Sequence, residues 1–335
     1  ERNTSDYSSI CTNVPWNTDA YRDQIKAVYF VDVVQPDSTA NWFKGCTNLR
    51  QAFLGAISEG HNYQLDTSRV VSMESMFEGC TNLQLVTSTV YGTSYSNALR
   101  SQGQVNFDTR NVRSMARMFK GCSTLKAVSL TSTYYCSDYI TTVEEMFMGC
   151  TSLTTLAFNN NASWSSDSSK PFTLENCTNF ANMFHGCKSL LSLDIRAFNT
   201  KKATNMGGMF DDCESLYSLR TGTNFTFRGA NPSDTTHQTW AYLPARKADG
   251  RYTGLWTVPT TSTDLGAAVS AADVTEKYDA LGSKNGTFTW QEDNTAAWAL
   301  YSNGTLYFFR APQGSWSNGA SISVDLSRTG NNRGT

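Results

Sequence analysis

The clearest pattern of apolar and polar positions along the chain is an eight-residue block that reads Met-Phe-x-Gly-Cys-x-x-Leu. Its apolar residues stand at offsets 0, +1, +4 and +7 from the Met, and further apolar residues precede it at −6 and −3. This spacing indicates one face of a helix or of successive helical turns. Trp42 replaces the Met of the first copy, and Asp212 replaces the Gly of the last. Six copies occur, at residues 42–49, 76–83, 118–125, 146–153, 183–190 and 209–216.

The copies recur at an irregular interval. The steps between their cysteines are 34, 42, 28, 37 and 26 residues. The shortest step gives the bare repeat, and the longer steps carry insertions of 8, 16, 2 and 11 residues relative to it. Repeats of this length stack on their neighbours, because one repeat alone cannot cover its apolar face. The sequence therefore predicts a solenoid.

Each copy is followed by the pattern of a short strand. Another apolar residue comes three positions after the Leu in five of the copies, and in three of them a further one follows two positions later. Such alternation is typical of a strand with one buried face. We therefore predict an α/β repeat solenoid that is leucine-rich-repeat-like, with six irregular repeats. Each would contribute a helical turn, a glycine bend and a strand, and the strands would form a parallel sheet on one face.

The ends of the chain depart from the repeat pattern. Residues 1–41 contain a strand-like run, which favours an N-terminal cap for the leucine-rich-repeat-like array at 42–228. Residues 229–290 carry scattered aromatic residues and are predicted to form a C-terminal cap. In residues 291–335, two β-rich runs flank Asn303-Gly304, a dipeptide typical of a tight hairpin. We expect this β-hairpin and tail to be the start of a further module.

Six of the nine cysteines occupy the same position of the repeat. Equivalent residues of stacked repeats point inward side by side, so their Cβ atoms do not face one another as a disulfide requires. They are predicted to be small buried residues, as is Cys177, which takes the place of a core Val. The spacing of metal ligands is absent, so no metal site is predicted. For Cys11 and Cys136, which lie outside the pattern, a disulfide and two free thiols both remain open.

Composition narrows the classes of function. Charged residues make up 17% of the chain and the net charge is −2, with no run of Lys or Arg, which argues against nucleic acid as a partner. No segment approaches the roughly 20 apolar residues that span a bilayer, so no direct membrane insertion is expected. Since the chain begins at Glu1, a secretion signal and an anchor are expected outside this sequence.

No catalytic constellation is recognisable. Only three histidines occur, and His185 takes a variable position of a repeat, where a solvated side chain is expected. The motifs of nucleophilic, zinc-dependent and phosphate-binding enzymes are missing. We therefore predict that the protein is not an enzyme and uses no cofactor. The enzyme class left open is a sugar hydrolase whose paired carboxylates come from distant segments.

The extended unit Val-x-x-Met-x-x-Met-Phe-x-Gly-Cys-x-x-Leu resembles the repeat of BspA-like leucine-rich-repeat bacterial surface proteins, which also occurs in mycoplasmal lipoproteins. The resemblance runs from Trp42 to Leu219, and residues 250–256 and 286–290 resemble the segments that close such arrays. It implies an extracellular, cell-surface address and a role in adhesion, with host or matrix proteins as ligands. The hairpin near the C-terminus resembles the strand pair that precedes such an array.

The insertions are where the sequence places the binding function. All of them follow a predicted strand and precede the next helical segment, so they should gather along one edge of the solenoid. They combine aromatic residues with Ser, Asn and Gly, which adaptable protein-binding loops also use. We predict an adhesin-like scaffold that binds a protein ligand through Tyr91, Tyr95, Tyr134, Tyr135 and Trp164.

Three alternatives to this prediction stay open. The same rings could pack back onto the array and have no ligand. They could instead stack on sugars, which would make the chain a carbohydrate-binding surface module. The array could also be a purely structural stalk or spacer of a larger surface protein.

Overall fold

A computed structural model describes residues 14–30, 32–58, 61–87, 107–130, 138–158, 171–248, 252–259, 265–278, 286–292, 299–302 and 305–308. Within these ranges each copy of the repeat makes one turn of a β-solenoid. The strands of the array are β1 (Ala27–Tyr29), β2 (Gln51–Phe53), β3 (Gly55–Ser58), β4 (His61–Gln64), β5 (Leu85–Thr87), β6 (Ala127–Leu130), β7 (Thr155–Phe158), β8 (Ser192–Ile195) and β9 (Ser218–Thr221).

The short strands predicted after the motif are present and pair in parallel. They do not form one sheet along the array. The parallel groups are β1-β2-β5, β6-β7 and β8-β9, while β3 and β4 form an antiparallel hairpin. The two interruptions fall after β5 and after β7, where the chain carries residues 88–106 and 159–170 between one strand and the next turn. Long insertions thus coincide with the breaks in strand pairing.

The segment predicted as a helical turn is built differently, so the α/β description does not hold for the described array. It consists of successive tight turns, in which the N–H of one apolar residue donates to the C=O of the apolar residue three positions earlier. Met76 N lies 3.3 Å from Met73 O, Cys80 N lies 3.1 Å from Phe77 O, and Leu83 N lies 3.0 Å from Cys80 O. The helix-like spacing of the sequence therefore marks the ends of turns.

Left-handed residues are the reason that these turns do not continue as a helix. The residue before the Met-Phe pair has a φ of 54–67° in every copy, and the residue at +3 has a φ of 57–75°. A right-handed helix cannot pass through such residues. Glycine occupies the +3 position in the first five copies, and Asp212 takes it in the last with a φ of 57°.

These residues direct alternate N–H groups toward the next copy. The backbone N–H groups at −3, −1, +1 and +3 donate to the carbonyls at −4, −2, 0 and +2 of the following copy. In the second copy the distances are 2.9 Å from Met73 to Ser114, 2.9 Å from Ser75 to Ala116, 2.9 Å from Phe77 to Met118 and 2.7 Å from Gly79 to Lys120. The same bonds join every pair of neighbouring copies. We call this ladder the turn column; unlike the strands, it is unbroken from the first copy to the sixth.

A small polar residue at −4 begins each turn segment. Its side-chain oxygen accepts a hydrogen bond from the N–H two residues later, at 3.1–3.3 Å, in all six copies. Such a local bond closes a turn before the left-handed residue. The six residues are Ser38, Ser72, Ser114, Thr142, Asn179 and Asn205.

The phenylalanines of the motif form a continuous stack inside the solenoid. Neighbouring rings lie 5.4–6.0 Å apart and within 18° of parallel, from Phe43 through to Phe210. Trp16 closes the N-terminal end: its ring stacks on Phe43 at 6.2 Å, and its Nε1 donates to Trp42 O at 2.9 Å. Trp16 therefore caps one of the open carbonyls at the start of the array.

The C-terminal residues extend the last sheet. The elements there are β10 (Tyr252–Pro259), β11 (Leu265–Val269), α1 (Ala271–Tyr278) and β12 (Gly286–Glu292). β12 pairs antiparallel with both β9 and β10, and β10 pairs with β11, so antiparallel strands follow the parallel ones. β13 (Ala299–Ser302) and β14 (Thr305–Phe308) pair antiparallel around the Asn-Gly dipeptide, with Ser302 opposite Thr305.

The left-handed residues give a test of the turn geometry. At Glu145, where φ is 55°, Glu145→Gly should be more stable than Glu145→Ala by about 1 kcal/mol or more, because an L-residue with a Cβ is strained there. Both variants lose the ion pair with Lys120, so the difference isolates the backbone. Urea denaturation measures it.

The neighbouring Glu144 serves as the control, because it is not among the residues with positive φ. There the order should reverse, since glycine adds only flexibility to the unfolded chain. Equal stabilities of the two variants at Glu145 would contradict the left-handed turn.

Candidate functional site

The insertions leave the array from one edge. β2 and β5 are in register with Phe53 opposite Thr87, and β6 and β7 with Leu130 opposite Phe158. Each of these strands ends within a residue of an insertion. Because parallel strands in register end side by side, the insertions start at the same edge of the solenoid. We call the strand ends and the segments that follow them the insertion edge.

The insertions also return close to where they start. Phe158 precedes the 159–170 insertion and Phe172 follows it, and their rings stack at 5.7 Å with both side chains buried. The hairpin of β3 and β4 is closed at its base, since Leu65 N donates to Leu54 O at 2.8 Å. Buried residues thus fix both ends of these segments on the array.

The five residues predicted to contact a ligand lie in these insertions. Tyr91 and Tyr95 belong to 88–106, Tyr134 and Tyr135 to 131–137, and Trp164 to 159–170; all five are outside the described residues. Their side-chain positions are therefore still predictions. A described neighbour, Tyr139, follows the 131–137 insertion and is 56% exposed, with the Arg113 guanidinium 6.0 Å from its ring.

A buried threonine fixes the chain where it re-enters the array. Thr200 Oγ1 donates to Thr226 O at 2.8 Å and accepts from Thr226 N at 2.7 Å. Thr67 makes the same two bonds to Asp108, at 3.0 and 2.7 Å. One hydroxyl therefore satisfies both backbone groups of the next turn. The sequence signal is an apolar residue followed by Asp or Asn and then Thr, at 65–67, 107–109 and 198–200.

The motif cysteines are confirmed as core residues. In copies two to six the thiol donates to the carbonyl of the Phe in the preceding copy, at 3.0–3.2 Å. Cys46 and Cys177 are also buried, and all seven described cysteines are free thiols. Cys11 and Cys136 lie outside the described residues. A thiol suits this position because it is small enough for the stack and still donates to a carbonyl.

Burial removes the reactivity of these thiols. It raises the pKa of Cys46 to about 11 and the pKa values of Cys150 and Cys177 to about 12. The pKa values of Cys80, Cys122, Cys187 and Cys213 are also raised, with burial as the main cause. Since the thiolate is the nucleophile and the metal ligand, the motif cysteines have a structural role.

His185 and His237 are the two histidines whose side-chain surroundings are described. His185 is half-buried, with Nε2 3.8 Å from an Asp212 carboxylate oxygen, so it is less solvated than its variable position suggests. His237 stacks on Trp240 at 4.1 Å. Within the described ranges, no group of three or more His, Cys, Asp or Glu side chains could hold a metal ion.

One surface feature is not singled out by the repeat pattern. The residue after the motif Leu is Arg50, Gln84, Lys126 or Thr154 in the first four copies, and all four are exposed.

No helix in the described part of the chain has the length and apolar character needed to cross a membrane.

Comparison with protein families gives one match. The family described as "Mycoplasma protein of unknown function, DUF285" matches residues 27–156 and 154–220, which together cover more than half of the 335 residues. The matched range begins at β1 and ends within β9, so it corresponds to the solenoid. No curated protein and no solved structure matches the chain.

The threonine bonds predict a contrast between two buried positions. Thr200→Val should lower the free energy of unfolding by about 1–3 kcal/mol, because it leaves the N–H and C=O of Thr226 without a partner. Thr221→Val should be neutral or slightly stabilising, since the buried Thr221 hydroxyl has no hydrogen-bond partner among the described residues. Thermal or urea unfolding of both variants provides the comparison, and equal losses would contradict the role given to Thr200.

Because the array cysteines are buried, we predict that they are unreactive while the protein is folded. In a Cys11→Ser/Cys136→Ser variant, a thiol-specific disulfide reagent should label none of the seven remaining cysteines in buffer and all seven in denaturant. Rapid labelling of the folded protein would show that the thiols are accessible and would contradict their place in the core.

Proposed function

The chain belongs to the DUF285 family, and from this premise we propose that it is an extracellular cell-surface interaction protein. In this proposal an adhesin-like, leucine-rich-repeat-like scaffold of the BspA type binds a protein ligand through the insertion edge. It has no catalytic role and needs no cofactor. The observation that carries the proposal is that the in-register strand ends start the insertions along a single edge.

The residues that recur in every copy of the motif support a scaffold rather than an enzyme. The thiols and rings of the repeat are buried and bonded to neighbouring copies, so they have no access to a substrate. Variation between copies is concentrated in the insertions, which differ in length and contain aromatic residues. In repeat proteins, insertions on one side commonly form the binding surface.

Anchoring of the insertions supports binding with little loss of freedom. The two ends of the 159–170 insertion are held together by Phe158 and Phe172. The two ends of the β3–β4 hairpin are held together by Leu54 and Leu65. A loop with fixed ends loses less conformational entropy when it binds than a free loop does. Exposed Tyr139 adds an aromatic side chain beside one insertion.

Binding of the fluorescently labelled chain to cultured epithelial cells tests the proposal. The wild-type chain should bind, and trypsin treatment of the cells should abolish binding. A variant with Tyr91, Tyr95, Tyr134, Tyr135 and Trp164 changed to Ser should bind at least about tenfold more weakly, because aromatic anchors commonly supply most of an interface's energy.

The control variant is Tyr21→Ser/Tyr217→Ser, whose exposed rings belong to none of the insertions and whose binding should equal that of the wild type. Binding that survives trypsin but is lost after glycosidase treatment would favour the carbohydrate-binding alternative. No binding by the wild-type chain would favour a stalk or spacer.

A further inference from the structure

A row of long polar side chains crosses the strand side of the first copies. Lys26 precedes β1, and the residue after the motif Leu continues the row in adjacent turns. Arg50 N donates to Lys26 O at 2.9 Å, Gln84 N to Arg50 O at 2.8 Å, and Thr154 N to Lys126 O at 3.0 Å. These bonds place the members of each bonded pair one strand spacing apart, which is about 4.8 Å, while no such bond is present between Gln84 and Lys126. All five side chains are exposed.

The surface around this row contains no carboxylate from the repeats. Residues 46–53, 80–87, 122–130 and 150–158 include Arg50 and Lys126 but neither Asp nor Glu. We call the outward side chains of these four segments, together with those of residues 26–29, the basic face. Asp23 lies at its end, where its carboxylate contacts Thr47 at 3.5 Å.

The cations of the basic face differ from the two lysines at position +2 of the motif, Lys44 and Lys120. Lys26, Arg50 and Lys126 have no ion-pair partner within the part of the chain that the structure describes. On the opposite side, Lys44 pairs with Glu78 at 3.0 Å and Lys120 with Glu145 at 2.8 Å. In a chain whose net charge is −2, the basic face therefore concentrates unpaired positive charge.

Hydrogen bonds between copies hold the polar side chains of this face in place. Asn82 Nδ2 donates to Thr47 O at 2.9 Å, Thr124 Oγ1 to Thr81 O at 2.9 Å, and Thr151 Oγ1 to Ser123 O at 3.2 Å. A hydroxyl that donates one bond keeps lone pairs that can accept another. The face thus presents ordered hydrogen-bonding groups beside the cations, and ordering them on binding costs little entropy.

An aromatic pair adjoins the cations. Tyr29 stacks on Phe53 at 4.9 Å with an angle of 11° between the rings, and Tyr29 is 59% exposed. Tyr29 is three residues after Lys26, on β1. An exposed, oriented ring can cover the apolar face of a sugar while its hydroxyl stays in water.

We propose that the basic face binds an anionic polysaccharide, with Lys26, Arg50 and Lys126 contacting its sulfate or carboxylate groups and Tyr29 packing on a sugar ring. An extended polymer fits a row that crosses successive turns of the solenoid, with its bonded members at the strand spacing. Single-stranded nucleic acid fits less well, because its sites combine a stronger basic field with several stacking rings. Lys26, Arg50 and Lys126 precede the strands whose far ends form the insertion edge, so binding through these cations does not depend on the protein ligand.

Heparin is the probe for this proposal, with hyaluronan as a carboxylated polymer, dextran as a neutral one and oligo(dT) as a nucleic acid. Calorimetric titration of the full chain at low ionic strength should detect heparin, with or without hyaluronan, and should not detect dextran. Heparin affinity should fall as salt is added, because exposed charge pairs are screened.

The decisive variant is Lys26→Gln/Arg50→Gln/Lys126→Gln. It should bind heparin about tenfold more weakly, because each exposed charge contact contributes modestly. Its melting temperature should not change, since none of the three side chains has a described ion pair. Tyr29→Ser should also weaken binding without altering the salt dependence.

The matched control is Lys188→Gln/Lys201→Gln/Lys202→Gln, which removes the same charge from the last copies. Lys188 there pairs with Glu214 at 2.9 Å, and Lys201 and Lys202 donate to Asn224 and Asn176. Heparin affinity should be retained. Equal losses in both triple variants would reduce the effect to net charge, and absence of heparin binding or tighter binding of oligo(dT) would overturn the proposal.

Discussion

The turn column is the interaction on which the rest of the structure depends. Its N–H groups can reach the next copy only because two residues per copy adopt left-handed conformations, which turn the backbone out of a helix. The resulting ladder passes through every copy, whereas strand pairing stops at the long insertions. Insertions can therefore vary in length without separating the copies. A long insertion interrupts the strand pairing, while the hydrogen bonds of the turn column still join the copies.

The core follows from this ladder. With copies held at a fixed spacing, the motif Phe rings stack directly on one another, and each thiol lies next to the carbonyl of the preceding Phe. A larger residue than Cys would separate the rings, and a residue without a donor would leave the carbonyl with one bond fewer. The recurring Met, Phe, Gly, Cys and Leu thus all serve the stacking of copies, which leaves the variable surface residues for binding.

Much of this could be predicted from the sequence. The repeat copies, the strand after the Leu, the buried cysteines and the common edge of the insertions all follow from residue spacing. The prediction of a helical segment in each repeat is wrong, because turns that link apolar residues three positions apart have the same spacing as a helical face. The left-handed conformations of Ser75, Arg117 and Glu145 could not be predicted, since their residue types are not typical of left-handed positions. The basic face could not be predicted in this way. Whether a cation has an ion-pair partner depends on which side of the solenoid each charged residue occupies, and the sequence alone does not give that side.

Native-state hydrogen exchange, resolved by residue, tests the central claim that the turn column is the continuous support of the array. The amides of Phe77, Phe119, Phe147 and Phe184 should be among the slowest to exchange and should share one opening free energy, because each donates to the next copy. Amides of β5 and β7, which border the interruptions in strand pairing, should exchange faster. Strand amides that outlast the turn amides would contradict the account, since the sheet would then be what holds the copies together.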